Sequence, residues 1–447
     1  MLTMDELRAD VEAGRIDTVV MAITDMQGRL QGKRLDAGAF VREIAEHGAE
    51  GCHYLLAVDI DMNTLPGFKM SGWDSGYGDF VFRPDLATLR RCTWLEGTVM
   101  VQADMEWHDG TPVEQAPRSI LKAQLARLAE RGWTAKIGSE LEFILFRESY
   151  ESSRAKGYRG LVPANEYNVD YSVFGTTIVE DVIRPIRRHM ANAGLVVEDS
   201  KGECNFGQHE VNFRYADALK MADDHAAYKN AAKEIAWQRG AALSFIAKFN
   251  EREGNSCHIH CSFWDGDESL FPDLGGHGRS PLFESFIAGQ LEFTTELAYL
   301  FAPNVNSYKR YAHGSFAPTA MVWGEDNRTC AFRVVGHGKG MRLESRLPGG
   351  DCNPYLAFAA IIAMGLEGID RGLELEPAFA GNAYESDARR VPGSLHEAIR
   401  LLEGSAFARS AFGDTVVDHY LNAARQEQQA FESAVTDWEL HRSFERM

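Results

Sequence analysis

The 447-residue chain is short of positive charge: 46 Lys and Arg face 65 Asp and Glu, for a formal net charge of -19. That shortage argues against a nucleic-acid binder, which normally carries a basic face. It also disfavours docking to acidic membrane surfaces. The seven cysteines are odd in number and follow no regular spacing, so no disulfide framework is expected. No apolar run reaches the roughly 20 residues that span a bilayer. The longest, Tyr355 to Leu366, reads as a core helix. The first residues, Met1-Leu2-Thr3-Met4-Asp5-Glu6, are acidic and unlike a secretory leader. A cytoplasmic protein with reduced thiols is the expectation. Common catalytic loops are missing as well. There is no G-x-x-x-x-G-K-[ST] phosphate loop, no G-x-S-x-G nucleophile elbow and no G-x-G-x-x-G dinucleotide loop.

What is present suggests two domains, 1–110 and 111–447. The first reads as a small α+β unit. A helix over 4–14 precedes a hairpin of strands at 19–24 and 30–35. A helix over 37–47, a strand over 58–62, a Gly- and Trp-rich loop over 67–78 and strands at 79–82 and 99–104 follow. The second domain opens with a helix over 117–131, where Ile120, Leu121, Leu125 and Leu128 share one side. Strands are expected at 139–146, 210–214, 244–249, 258–264 and 341–347. Helices are expected at 177–193, 217–239, 281–301 and 355–366, with a mostly helical tail over 415–445.

The strand at 341–347 alternates with period two. Met341, Leu343 and Leu347 share one face; Arg342, Glu344 and Arg346 share the other. It leads through Asn353-Pro354, a good helix start, into the apolar helix. An internal strand pays heavily for such a charged face unless it lines a cleft with charged ligands. The other reading is a solvated edge strand with ion pairs, and the strand alone does not choose.

Glu140 and Glu142 share one face of an otherwise apolar strand, with Cα atoms roughly 7 Å apart. Their repulsion calls for a counter-charge, and a divalent metal supplies one. Glu203 and Glu210 bracket a bend containing Gly207; by themselves they read as solvated acids. Cys257-His258-Ile259-His260-Cys261 invites a zinc site, but on a strand the two His and the two Cys point opposite ways and cannot close one tetrahedron. His258 is retained as a single ligand. Lys309, Arg310, Arg328, Arg333, Lys339, Arg342 and Arg346 form a basic cluster suited to polyphosphate and carboxylate. Arg333 alone reads as a surface ion pair.

Taken in order, several segments resemble the motifs of the glutamine synthetase superfamily over nearly the whole chain. They are Gly138-Ser139-Glu140-Leu141-Glu142-Phe143, Gly207-Gln208-His209-Glu210, His258-Ile259-His260-Cys261-Ser262, Asn306-Ser307-Tyr308-Lys309-Arg310, Asn327-Arg328, and Arg342-Leu343-Glu344-Ser345-Arg346 with Asn353-Pro354-Tyr355. The resemblance implies an α+β fold. A small β-grasp-like N-terminal domain would precede a large catalytic domain with an antiparallel sheet and surrounding helices. It implies homo-oligomeric rings, often two stacked hexamers, with active sites between subunits. It also implies ATP, glutamate and two or more divalent ions, Mg2+ or Mn2+. Glu142, Glu203 and Glu210 would hold one ion, and Glu140, His258 and Glu344 the other. Gly254, Arg310 and Arg346 would bind glutamate. His260, Ser262, Arg328 and Arg342 would bind ATP, with Arg328 and Glu344 also counted as catalytic.

One departure shifts the expected substrate. Glutamine synthetases carry a glutamate six residues after the Arg310 position, and this chain has Phe316 there. Ammonium favours anionic neighbours, whereas a phenyl ring suits an alkyl chain. Asp74, in the 67–78 loop, is the candidate for the missing ammonium-site aspartate and for the amine's base; Trp73 is a candidate wall of the same pocket. The pattern resembles the γ-glutamyl-amine ligases. The expectation is a ligase joining glutamate to an organic amine, with a small monoamine such as ethanolamine favoured over a polyamine. Glutamine synthetase itself and an inactive regulator are the alternatives. Tyr384 loosely matches a tyrosine that some members adenylylate, but its neighbours differ, so no such modification is expected.

Overall fold

The computed structural model describes every residue of the chain except 274, 276 and 277. Two sheets organise it. The first contains β1 (Thr18–Thr24), β2 (Leu30–Asp36), β3 (Ala49–Cys52), β4 (Asp79–Pro84), β5 (Arg90–Arg91) and β6 (Thr98–Glu106). Its order is β2-β1-β6-β4-β3, with β5 beside β6. β1 and β6 run parallel at the centre, and the other pairs are antiparallel. The expected hairpin forms, with Thr24 opposite Leu30. This is the β-grasp-like unit.

The second sheet holds β7 (Trp133–Phe146), β8 (Val197–Gly202), β9 (Gln208–Phe213), β10 (Ala216–Asp217), β11 (Ala242–Ser244), β12 (Cys257–Asp265), β13 (Glu268–Ser269), β14 (Trp323–Glu325), β15 (Phe332–Val335) and β16 (Arg342–Ser345). Its main path is β14-β15-β16-β12-β7-β9-β8. All pairs are antiparallel except β14 with β15. β16 lies between β12 and β15, so it is an internal strand and not a solvated edge.

The period-two pattern sorts this sheet into two faces. Ile137, Leu141 and Phe143 of β7, Ile259 and Phe263 of β12, Val211 of β9 and Leu343 of β16 are buried. Helices Pro117–Ala129, Ala218–Gln238 and Pro354–Asp370 pack behind the sheet, and helix Pro281–Phe293 lies against the last of them. Helix Pro354–Asp370 is buried along almost its whole length. Asn353 caps it by accepting from the Tyr355 N–H, and Pro354 starts its first turn. Its partner helix comes unusually close. A Cβ on Gly289 would lie 2.2 Å from the Met364 carbonyl, and one on Gly368 would lie 2.2 Å from that of Ser285. Only glycine fits at such a crossing.

Three expected elements differ. The 58–62 segment is a turn, not a strand. The Asp59 carboxylate accepts from the Asp61 and Asn63 N–H groups, and Met62 has a left-handed φ of 66°. The 244–249 strand stops at Ser244. There the Asn255 side chain takes the Ser244 and Ile246 carbonyls that a neighbouring strand would have used. The 281–301 helix breaks after Phe293 and resumes at Ala298–Phe301. Thr294 at the break turns its hydroxyl back to the Gln290 carbonyl. β3, β8, β14 and β15 were not expected from the pattern; all are short.

A buried ionic knot joins the two sheets. Arg118 donates to Asp223 through Nε and Nη2, to Asp104 through Nη1 and to Asp85 through Nη2. The Tyr355 hydroxyl also donates to Asp223, at 2.6 Å. Asn353 adds a second tie, donating to the Asp25 and Met26 carbonyls in the β1–β2 turn. Removing one partner from such a knot strands a buried charge. Asp223→Ala is therefore expected to destabilise the protein by about 3–5 kcal/mol, read from urea unfolding, while Tyr355→Phe costs about 1 kcal/mol.

Candidate active site

The other face of the second sheet carries the charge. Register explains how. Glu142 pairs with Glu210, and Glu210 pairs with Lys201. Glu140 pairs with His258, while Glu344 pairs with His260 on one side and Arg333 on the other. Direct cross-strand partners point the same way. Six strands thus bring acids and their partners that are distant in sequence onto one surface. A cavity of about 520 Å³ opens over it, lined among others by Glu140, Glu142, Glu203, Glu210, His258 and Glu344.

Among the described residues three groups of side chains have ligand atoms within 4.8 Å of one another; one, Asp170, Glu203 and Cys204, lies at the cavity's rim, and the other two lie on the sheet. Of these two, one is Glu142, Glu203 and Glu210; the other is Glu140, His260 and Glu344. The first matches the expected triad. The second contains His260 where His258 was expected. His258 is nonetheless beside both carboxylates, with Nδ1 3.4 Å from Glu140 and 3.6 Å from Glu344. Its Nε2 is buried without a hydrogen bond. Both nitrogens of His260 are engaged: Arg342 Nε donates to Nδ1 at 3.2 Å, so Nε2–H donates to Glu140 at 2.9 Å. His258 has the freer ring. Hard oxygen donors with one imidazole are a donor set for a divalent cation such as Mg2+ or Mn2+. Cys257 and Cys261 are buried on the opposite face, which removes the zinc reading.

The carboxylates are individually braced. The Ser256 N–H donates to Glu142 at 2.7 Å, and Gln208 Nε2 donates to the same carboxylate, to Asn255 and to the Gly254 carbonyl. Asn212 donates to Glu210. Glu344 sits between two guanidinium groups, Arg346 at 2.5 Å and Arg333 at 3.0 Å. Burial pushes the Glu344 carboxyl up, but Arg346, His258 and His260 outweigh it and bring it down to about 2. Burial also opposes ionisation of Glu140, and His260 and His258 more than offset it. Burial and Arg346 push His258 down, towards the neutral form that ligates metals. Glu210 goes the other way. Burial, aided by Glu140 and Glu142 and opposed by Lys201, pushes it up to about 8.

The arginines divide. Arg328 and Arg346 line the large cavity with Gly254 and Phe316. Arg328 is exposed and, among the described residues, has no hydrogen bond or ion pair, so its charge is available. Arg342, His260 and Ser262 line an adjoining cavity of about 330 Å³ that shares Glu140 with the first. Arg310 lines neither. It is buried, donating Nη2 to the carbonyls of Arg346, Leu347 and Pro348, with Nε and Nη1 unpartnered. It supports the wall of the cavity from behind.

Two expectations need correction: the surface ion pair at Arg333 and the pocket roles of Asp74 and Trp73. Arg333 is no surface pair: it donates to Glu344 and lines the cavity. Because β15 was not expected, its register opposite Glu344 was invisible. Asp74 and Trp73 do not reach either cavity within one chain. Trp73 is 83 % exposed, on a loop of the first sheet. Tyr384 is buried, and its hydroxyl donates to the Ala317 carbonyl. Gln208, Asn212 and Lys201 were missed. The available signal for the first two was period two: they flank Glu210 on β9.

Residues 114–443 match the family model described as "Glutamine synthetase, catalytic domain". The chain belongs to the glutamine synthetase family. It is 60% identical over 446 residues to a γ-glutamylethanolamide synthetase, GlnA4, of Streptomyces coelicolor, covering 100% of this chain and 96% of the relative. It is 34% identical to a glutamate–isopropylamine ligase of a Pseudomonas species, over 98% and 97% of the two chains. A solved structure described as a GmaS/ADP complex superposes with a TM-score of 0.86 at 29% identity, covering 98% of this chain and 99% of the other.

The Glu210 carboxyl generates a prediction. Its ordinary pKa is 4.5 and its folded value about 8, so the folded chain holds a proton that the unfolded chain has lost across that window. Stability of the metal-free protein therefore falls as pH rises from 4.5 to 8. Glu210→Gln removes that contribution. In thermal unfolding with chelator present, the variant should lose less stability than the parent over this window; parallel curves would count against the assignment.

Proposed function

We propose that this chain is an ATP-dependent ligase that joins the γ-carboxylate of glutamate to a small organic amine. One observation carries the reading. Two carboxylate clusters with histidine face Arg328, Arg333 and Arg346 across one cavity, and Phe316 stands on its wall.

The chemistry explains the set. Glutamate's γ-carboxylate oxygen attacks the terminal phosphorus of ATP and ADP leaves. The amine nitrogen then attacks the acyl carbon of γ-glutamyl phosphate and phosphate leaves. Two anions must first meet. Divalent ions held by Glu142, Glu203 and Glu210, and by Glu140, His258 and Glu344, would offset their repulsion and polarise the phosphoryl group. Arg328 and Arg333 add fixed positive charge where the phosphoryl group transfers. Arg346 and Gly254 hold glutamate, with Arg310 bracing the wall. His260, Ser262 and Arg342 hold the nucleotide in the adjoining cavity.

Residues 1–110 and 111–447 form the two domains of this reading. The protein works in the cytosol as a ring oligomer, a homododecamer, in which the exposed 67–78 loop completes the cavity of an adjacent copy. Asp74 and Trp73 then reach the amine, which must lose a proton before it attacks. A small monoamine, ethanolamine in the first instance, fits the phenyl wall. The names of the relatives, an ethanolamide synthetase and an isopropylamine ligase, support that choice.

The test is phosphate release with ATP, Mg2+ and glutamate across ammonium, ethanolamine, short alkylamines, putrescine and spermidine, with each product weighed by mass spectrometry. Amide formation with ethanolamine or a short alkylamine, and little with ammonium, is expected. Turnover with ammonium alone would return the chain to glutamine synthesis. Glu344→Ala should reduce turnover by about three orders of magnitude or more while the assembly persists, since it removes a ligand and a transition-state charge partner together. Phe316→Glu should move the preference towards ammonium.

A further inference from the structure

Phe316 is held in place from its backbone. Its φ is 58°, a left-handed conformation that an aromatic residue adopts only under constraint. Two side chains supply the constraint. Arg346 Nη2 donates to the Phe316 carbonyl at 3.3 Å. The Tyr384 hydroxyl donates to the next carbonyl, Ala317, at 2.9 Å. The Tyr384 ring also meets that of His313, with centroids 5.2 Å apart. On the other side of the turn, the Ser315 hydroxyl donates to the Ala312 and Arg310 carbonyls. Arg346 touches Glu344 and lines the cavity, so it belongs to the site already described. Tyr384 does not line the cavity; its hydroxyl meets the loop that carries Phe316.

We infer that Tyr384 is a positioning residue for the amine half-reaction: it clamps the 311–318 loop so that the Phe316 ring closes the cavity over the acyl phosphate. This rests on the ligase reading above. The clamp has two consequences. It fixes the apolar wall against which the amine's carbon chain packs. It also keeps water from the acyl carbon, where attack by water releases phosphate and returns glutamate. His260, Ser262 and Arg342, the residues proposed to hold the nucleotide, are on β12 and β16 and line the other cavity, which Tyr384 does not line.

Tyr384→Phe removes the hydroxyl and keeps the ring. In the full-length protein the KM for the amine should rise about fivefold, the worth of one neutral hydrogen bond. Phosphate release with glutamate and ATP but no amine should rise as well, while the KM for ATP stays within about twofold. Backbone amides over 311–318 should exchange faster with deuterium. An unchanged amine KM and unchanged amine-independent release overturn the proposal, as does an equal rise in every KM, which marks a general structural loss. Should the Tyr384→Phe protein not fold, His313→Ala loosens the same ring and is read the same way. If the parent makes no amide with any amine, the ligase reading fails. Deuterium exchange then judges the clamp alone: faster exchange upholds it and unchanged exchange overturns it.

Discussion

Crowding of like charge on one face of a sheet is the constraint on which the rest depends. Glu140, Glu142, Glu210 and Glu344 project from three strands of one sheet, three of the four carboxylates buried. Alone they would drive the strands apart or take up protons. The fold resists on two fronts. Behind the sheet, an apolar layer centred on helix Pro354–Asp370 locks the register. In front, Arg333, Arg346, Lys201 and fixed amide donors share out the negative charge. Glu210, with the least support, is the one pushed up to about 8. That leftover charge demand is what a divalent cation would meet.

The same register divides the work. Residues one step apart on β12 face opposite ways, so His258 and His260 join the site while Cys257 and Cys261 join the core. On β16, Leu343 is buried in the core while Arg342 and Glu344 face the two cavities. Catalytic precision thus follows from core packing: a slip of one residue would bury the charges and expose the hydrophobic side. The knot around Arg118 extends this rigidity to the first sheet, whose Asp85 and Asp104 it holds. In contrast, the cavity's outer wall is a loop, fixed at a few carbonyls. Under the proposed function, substrate choice would rest on this loop and not on the sheet.

Much of this was legible from residues alone. Strands β7, β12 and β16 alternate cleanly because one face is buried and the other charged. The helix at 355–366 announces itself by its apolar run and its Asn-Pro start. Glu140 and Glu142 could be picked out because paired carboxylates on a half-buried strand need a counter-charge, whereas Glu203, Glu210 and Glu344 were named as ligands only through the family resemblance. The failures share a physical cause. The strand expected at 58–62 lost to a local side-chain turn at Asp59. The one expected at 244–249 was cut short by Asn255. Both competitors are hydrogen bonds that periodicity does not record.

Composition, period and motif order therefore determined the class of fold, the acids of the site and the aromatic residue in place of an anion, since these depend on what each residue is. Only the tertiary structure decided which of them meet. It made Arg333 a partner of Glu344, placed Arg310 behind the wall, turned Tyr384 inward to the loop, and left Asp74 and Trp73 outside the cavity of their own chain. Those outcomes depend on strand register and on contacts between segments far apart in sequence, and no local pattern encodes them.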